Sequence, residues 1–374
     1  MLGLERYCNQ RMTKTLFPDL AFEPDAQAAW SCPSNIALVK YWGKKAGAVQ
    51  WPANASISWA LGDLRAQTRL SYRKGVQPGQ LECYLDGQRK ESFEPKIKDF
   101  FQRVYNDETC SAVLKTAIDE GGFRIDSSNN FPHGTGIASS AAGFGALALC
   151  LADLQQQWDP SVVLSMELAS RWARLGSGSA CRSLYKEPAI WGLHSEVADS
   201  SDDYAVPHKG AIASSMQGWK DCVLIVDAGE KSVSSTQGHA LLNSNAYAHV
   251  RFDQAQANLS QLLMALEAGD AENFMEVVES EALQLHAMMM VSKPSFVLMR
   301  PGTLAIIEAI RAFRAETGAQ VCFTLDAGAN VHMLFAPVDE NRIVNNLLPS
   351  LLLHCQDKQY LCTALNRGPE PLKL

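Results

Sequence analysis

The sequence predicts an α+β protein built as two domains. Three observations lead there. The chain has 374 residues, more than one ordinary hydrophobic core accommodates, so two domains are the expectation. Strand-like alternation comes early and helical periodicity interleaves later, an order that suits α+β rather than a doubly wound parallel sheet. An apolar share of 47% with 20% charged residues belongs to a packed, folded chain.

Taken in order, residues 1–28 read as a polar, irregular extension draped on the surface. The pattern sharpens at Ala29, where Ser31-Cys32-Pro33-Ser34 leads into the apolar run 36–39. Alternating stretches follow at 56–61, 68–72 and 81–85, and Asp86-Gly87 is a hairpin-type turn. Residues 93–105 and 110–120 carry helical spacing, and 123–126 read as a strand. A Gly-rich segment at 132–136 opens a long helix to about Asp153, with two more helical stretches before Ala173. Residues 195–208 are loop-rich, and 222–226 form a buried strand. Helices are expected at 247–267, 271–291 and 304–317, and 321–325 pairs with 331–335 around a Gly turn. The division this implies is an extension at 1–28, a first domain at 29–210 and a second at 211–374.

Charge and cysteine usage exclude several classes of function. The net charge of −7, with no dense basic run, argues against nucleic acid, which needs a local excess of Lys and Arg. An anionic ligand must then be held by a few placed cations. No stretch approaches the roughly 20 apolar residues of a membrane helix, and the N-terminus lacks the apolar region of a secretory signal. The expectation is a soluble, cytoplasmic protein. The ten cysteines form no CxxC pair and show no metal-ligand spacing. Cys32, Cys150, Cys181, Cys222 and Cys322 sit in apolar surroundings that suit reduced, buried thiols.

The strongest local signal is Pro132-His133-Gly134-Thr135-Gly136-Ile137-Ala138-Ser139-Ser140-Ala141-Ala142-Gly143. Gly134 and Gly136 let the backbone turn tightly, so a phosphate can approach the exposed N–H groups of a helix start. Ser139 and Ser140 add hydroxyls for phosphate oxygens or Mg²⁺. A tightly packed helix start with serine caps would read the same way, so context decides. No Gly-Lys-Ser/Thr closes the loop, which excludes a Walker A motif, and the dinucleotide fingerprint is absent. The context is Leu175-Gly176-Ser177-Gly178-Ser179-Ala180-Cys181-Arg182-Ser183, two hydroxyls and a cation suited to a carboxylate or phosphate. Thr324-Leu325-Asp326-Ala327-Gly328-Ala329-Asn330 adds a carboxylate at a strand end.

Together with Asn35-Ile36-Ala37-Leu38-Val39-Lys40-Tyr41-Trp42-Gly43-Lys44 and Val233-Ser234-Ser235-Thr236, these segments resemble the GHMP kinase superfamily and, within it, the mevalonate diphosphate decarboxylases. The motifs occur in the family's order from residue 35 to residue 330. The resemblance implies a ribosomal S5 domain 2-like first domain and a ferredoxin-like second domain. It also implies ATP with Mg²⁺, mevalonate 5-diphosphate as substrate, isopentenyl diphosphate and CO₂ as products, and a homodimer.

Carried over by motif, the resemblance implies that Asp326 faces the C3 hydroxyl as base or orienting group. Arg182 would hold the substrate carboxylate, Lys40 would neutralise charge at the transferring phosphate, and Asn35 would support this centre. Tyr41, Lys44, Ser177, Ser179 and Ser235 would bind the carboxylate end or the diphosphate. Lys96 stands where relatives often carry a cation. Departures are His133-Gly134-Thr135 for a common Thr-Ala-Ala, His239 for a Met near the substrate, and Ala329 for a Pro. None of these removes a charged catalytic group, so they bear on the substrate's phosphorylation state and not on the reaction type. The alternatives are a decarboxylase of the monophosphate, a small-molecule kinase that stops after phosphoryl transfer, and a non-catalytic nucleotide binder; retention of Asp326, Arg182 and Lys40 argues against the last two.

Overall fold

The computed structural model describes residues 17–47, 49–76, 79–132, 137–229, 235–242 and 245–374; of 235–237 it describes the backbone alone. The first sheet grows from two long strands, β1 (Ala26–Val39) and β2 (Ser56–Lys74), which pair antiparallel. The sequence separates 56–61 from 68–72, but the chain runs them together as one strand of 19 residues. The register slips between Pro33 and Ser34, opposite Arg65 and Leu61. Pro33 has no N–H to give the ladder, so it sits where the ladder is already broken.

Chain order continues through β3 (Leu81–Leu85), β4 (Gln88–Arg89), α1 (Glu94–Tyr105), α2 (Ala112–Glu120) and β5 (Gly121–Asn129). The β3–β4 turn holds Asp86 and Gly87 at φ of 51° and 77°, the two positive values of a type I′ hairpin. Helix α1 buries Ile97, Phe100, Phe101 and Val104, one stripe at helical spacing. Ser111 caps α2 by accepting from the Leu114 N–H at 3.2 Å.

Next come α3 (Ser139–Trp158), α4 (Met166–Gly176), β6 (Ala189–Trp191) and β7 (Ala205–Pro207). Of the two helical stretches expected before Ala173, the structure contains one, α4, and it runs past that residue. The Asp159-Pro160-Ser161 turn interrupts the periodicity, and Ser165 starts α4 by accepting from the Leu168 N–H at 3.0 Å. Helix α3 packs closely on the sheet; a Cβ at Gly145 would lie 2.5 Å from Cys32 Sγ.

The second half comprises β8 (Lys220–Leu224), α5 (Ser235–Leu241), α6 (Ala248–Ala268), α7 (Ala271–Met290), α8 (Pro301–Thr317), β9 (Val321–Leu325), β10 (Val331–Phe335), β11 (Tyr360–Ala364) and β12 (Glu370–Pro371). Its four-stranded antiparallel sheet has the order β11-β8-β10-β9. The first and third strands are thus central, the ferredoxin-like arrangement. The fold is α+β with two domains. Strand β12 returns to the first sheet and pairs with Trp30 and Ser31 of β1.

Period-two alternation divides the second sheet between two cores. Val331, Met333 and Phe335 face α8, whereas Leu334 and Val223 face the first domain. Between the domains, Trp59 of β2 stacks on Phe274 of α7 with ring centroids 5.1 Å apart, and Trp219 meets the same phenyl at 4.9 Å. Burial of each such ring contributes about 1.5–3 kcal/mol, so the seam is an apolar core rather than a wet hinge.

The expectation of a reduced Cys222 is corrected. Cys222 lies opposite Cys362 in the β8–β11 register, and the two form a disulfide that spans 140 residues of sequence. Cys32, Cys150, Cys181 and Cys322 are free and buried. Of the extension expected at 1–28, residues 1–16 lie outside the described residues, 26–28 are instead the start of β1, and 17–25 lie along the first sheet. Phe17 is buried beneath Arg69, whose guanidinium lies 5.0 Å from the ring and donates to Pro18 O at 2.7 Å. Among the described residues, no helix is long and apolar enough to cross a membrane.

Candidate active site

A cavity of about 310 Å³ opens where the end of β1, the start of α3, the 310 turn Gly178–Leu184 and the end of β9 meet. Asn35, Lys40, Tyr41, Lys44, Lys96, Ser139, Ser140, Ser177, Ser179, Arg182 and Asp326 all line it. Residues drawn from both domains and separated by nearly 300 positions thus share one space. Gly134, Gly136, His133 and the side chain of Ser235 lie outside the described residues.

Lys40 directly follows β1 and is 1% exposed. Its Nζ donates to Ala37 O at 2.6 Å and to Thr324 Oγ1 at 2.7 Å. Burial lowers its pKa to about 8, against the upward pull of Asp326 and Glu281. Arg182 is equally enclosed. Its Nε donates to Ser58 Oγ at 2.5 Å and an Nη to Ser56 Oγ at 2.7 Å, so two serines of β2 fix the guanidinium plane. Burial lowers its pKa as well, but an arginine stays charged at any working pH. Asn35 donates to Ser179 O at 3.0 Å and to Ser183 Oγ at 2.8 Å, binding β1 to the turn that carries Arg182.

Asp326 follows β9 directly, two residues after Thr324. Its carbonyl accepts from His286 Nε2 at 3.1 Å. Burial holds the pKa of His286 at about 4, so the ring is neutral and the nitrogen facing a carbonyl must carry the proton.

The floor is aromatic. Tyr41 meets Trp191 and His239 with centroids 4.6 and 4.2 Å apart, and Trp42 meets His239 at 4.7 Å. Gly43 N–H donates to His239 Nδ1 at 3.0 Å. Burial first, then the Lys44 charge, holds that histidine at about 3, so it is neutral with its proton on Nε2. Among the described residues the Tyr41 hydroxyl has no hydrogen-bond partner, and burial pushes its pKa up, so it stays a neutral phenol.

At the mouth, Ser140 Oγ lies 3.3 Å from Ser177 Oγ, joining the start of α3 to the Gly-Ser turn. Ala138, at φ +28°, turns the chain into α3, and Ser34 Oγ anchors this approach by donating to Ile137 O at 2.9 Å. The N-terminus of α3 presents its unpaired N–H groups here. Among the described lining residues, Lys40, Lys44, Lys96 and Arg182 face a single carboxylate, Asp326. The cavity is therefore built for a polyanion. A second cavity of about 270 Å³ shares Lys96, Ser139 and Ser140 with the first but is otherwise mostly apolar, lined by Leu85, Ile97, Phe144 and Leu147.

Sequence reasoning missed several contributors. Ser56 and Ser58 read only as strand residues, Thr324 only as the opening residue of the Asp326 string with no role of its own, and Glu281 carried no motif. Leu285 lines the cavity from α7. Alternation within β2 is the signal that could have found the serines: polar 56 and 58 interleave with Ile57 and Trp59 on one buried strand.

The comparisons with known proteins agree with this geometry. Residues 32–204 match the diphosphomevalonate decarboxylase-like N-terminal domain, and residues 222–370 match the mevalonate 5-diphosphate decarboxylase C-terminal domain. Diphosphomevalonate decarboxylase of Schizosaccharomyces pombe is 30% identical over 338 residues, covering 86% of this chain and 81% of the relative. The Saccharomyces cerevisiae enzyme is 32% identical over 327 residues, covering 84% and 79%. The crystal structure of mevalonate diphosphate decarboxylase from Staphylococcus aureus superposes with a TM-score of 0.79 at 27% identity, covering 93% of this chain and 98% of that one. The structure of MDDEF in complex with MVAPP, AMPPCP and magnesium gives 0.77 at 26% identity, covering 93% and 100%. With the three charged groups converged in one cavity and both halves matched in order, the chain belongs to the diphosphomevalonate decarboxylase family.

Proposed function

We propose that Asp326, Lys40 and Arg182 are the catalytic groups of an ATP-dependent decarboxylase that converts mevalonate 5-diphosphate to isopentenyl diphosphate, ADP, phosphate and CO₂. The observation that carries these assignments is their convergence in one cavity at the start of a 20-residue helix.

The chemistry explains the residue types. A tertiary hydroxyl is a poor leaving group and must first become a phosphate ester. Asp326 accepts the C3 hydroxyl hydrogen and holds that oxygen in line for attack on the terminal phosphoryl group. Such transfer is loose, so orientation outweighs proton abstraction. Lys40, fixed by Ala37 and Thr324, lies in the field of Asp326 and neutralises charge on the transferring group. Arg182, with its plane set by Ser56 and Ser58, grips the carboxylate and aligns its carbon–carbon bond. When the C3–oxygen bond breaks, phosphate takes that electron pair. The pair from the carbon–carboxylate bond then forms the alkene, and CO₂ departs. Asn35 supports the turn beneath Arg182. Tyr41, Lys44, Ser177 and Ser179 line the space for the carboxylate end and diphosphate, and Ser235 and Lys96 belong to the same substrate set.

Mg²⁺ with ATP supplies charge neutralisation across the phosphates. The residues fit this role: the α3 N-terminus offers unpaired N–H groups, and Ser139 and Ser140 offer hydroxyls. Among the described residues no group of three or more His, Cys, Asp or Glu could hold a metal ion. Gly134 and Gly136 complete the phosphate loop in this reading. The apolar second cavity, contiguous through Ser139 and Ser140, would take the adenine ring.

We propose a cytoplasmic location and a homodimer, both by family resemblance; sedimentation tests the second. The substrate assignment is tested by comparing kcat/KM for mevalonate 5-diphosphate and the 5-monophosphate. At least tenfold preference for the diphosphate is expected; preference for the monophosphate overturns it.

A further inference from the structure

We propose that Glu281, a residue of α7 behind the cavity, is the positioning residue through which the second domain fixes the place of Lys40. The inference rests on the reading of Lys40 as a catalytic group.

Lys40 sits just beyond the last residue of β1, where the sheet no longer governs its backbone. Two side chains replace the ladder. Its N–H donates to Glu281 Oε2 at 2.8 Å, and its carbonyl accepts from Asn54 Nδ2 at 2.9 Å. The ammonium is held by Ala37 O and Thr324 Oγ1. A flexible four-carbon chain is thereby held at both ends.

Glu281 is built for this task at evident cost. It is 0% exposed, and a buried carboxylate persists only where donors surround it. Arg251 Nη2 donates to Oε2 at 2.6 Å and Asn258 Nδ2 to Oε1 at 2.5 Å, both from α6. Arg251 neutralises the carboxylate and Asn258 satisfies its other oxygen, both from its own domain. The third hydrogen bond crosses to the first domain and reaches the backbone of a catalytic lysine.

A purely structural strut explains the burial but not the target. The charged and titratable groups acting on Lys40 are Asp326, Glu281 and Asp221, which favour its ammonium form, and Arg182, which opposes it. Neutral His286, five residues further along α7, holds the Asp326 carbonyl. One helix therefore fixes both members of the acid–base pair, and Glu281 adds charge as well as place.

The test uses Glu281→Gln, which keeps the shape and an acceptor oxygen but removes the charge. The double variant E281Q/R251Q relieves the unpaired guanidinium in case the single variant folds poorly. Turnover is measured against pH, and the Lys40 ammonium is titrated by nitrogen NMR of ζ-¹⁵N-lysine protein, with K40R assigning the signal. In the folded variants kcat should fall on the order of 10-fold to 10²-fold, the scale of a small misplacement. KM values should stay within about threefold, the pattern of an interaction made in the transition state. The alkaline limb and the Lys40 titration should move together to lower pH. Wild-type kcat with an unmoved limb and titration, even alongside a lower melting temperature, overturns the inference. If the titration moves but K40R turns over normally, Glu281 does position Lys40 and it is the catalytic reading that fails.

Discussion

Lys40 Nζ donates to Thr324 Oγ1 at 2.7 Å, so a lysine just past the end of β1 in the first domain is held by a threonine of the second. Because Thr324 lies two residues before Asp326, the same strand end sets the cation and the carboxylate relative to each other.

This contact has a pH consequence. Burial brings the Lys40 pKa down to about 8. The ammonium neutralises developing charge, so turnover should be full below that value and lost as pH rises through it. A kcat profile should show an alkaline limb near pH 8. His239 and His286, held at about 3 and 4, stay neutral throughout and contribute no limb between pH 5 and 7.

Asp326→Asn retains the size and the His286 hydrogen bond to the backbone, but loses the acceptor charge. Turnover should fall by about 10²–10⁴, with the melting temperature changed little. Circular dichroism alongside steady-state assays checks both halves of the prediction.

Arg182→Lys keeps a positive charge but not the planar fork held by Ser56 and Ser58. Loss of charge-assisted hydrogen bonds costs about 1.5–3 kcal/mol, so kcat/KM for the substrate should drop by roughly 10-fold to 10²-fold. ATP affinity, measured by calorimetry, should be unaffected.

Gly178→Ala tests the cavity floor. A Cβ there would lie 2.8 Å from the Tyr41 ring and hydroxyl and 2.9 Å from Trp191. Both neighbours are buried and rigid, so overpacking should cost about 1–3 kcal/mol. The expected result is a raised KM for the phosphorylated substrate and a lower melting temperature.

Much of this was legible in the chain because the chemistry is concentrated in short strings. Asn35, Lys40, Tyr41 and Lys44 share one run, as do Ser177, Ser179 and Arg182, and their residue types announce anion binding. The fold class followed from the order of strands and helices. What escaped depends on distant packing. Cys222 and Cys362 meet only because β11 and β8 are neighbours, which no local pattern states. The single strand β2 looked like two because Gly62-Asp63-Leu64, opposite the register slip, interrupts its alternation. Glu281 looked like an ordinary helical glutamate. Yet it falls on the stripe of Phe274, Val278, Ala282 and Leu285, all buried. A carboxylate on an apolar stripe is itself a signal that a partner waits inside.

The most direct test of the account is the yield of ADP and CO₂ when purified protein is given mevalonate 5-diphosphate, ATP and Mg²⁺, with Asp326→Asn in parallel. The account predicts equal amounts of both products from the wild type and, from the variant, both products formed at about a hundredth of that rate or less. ADP accumulating with a stable 3-phospho product and no CO₂, or near-normal turnover by the variant, would contradict it.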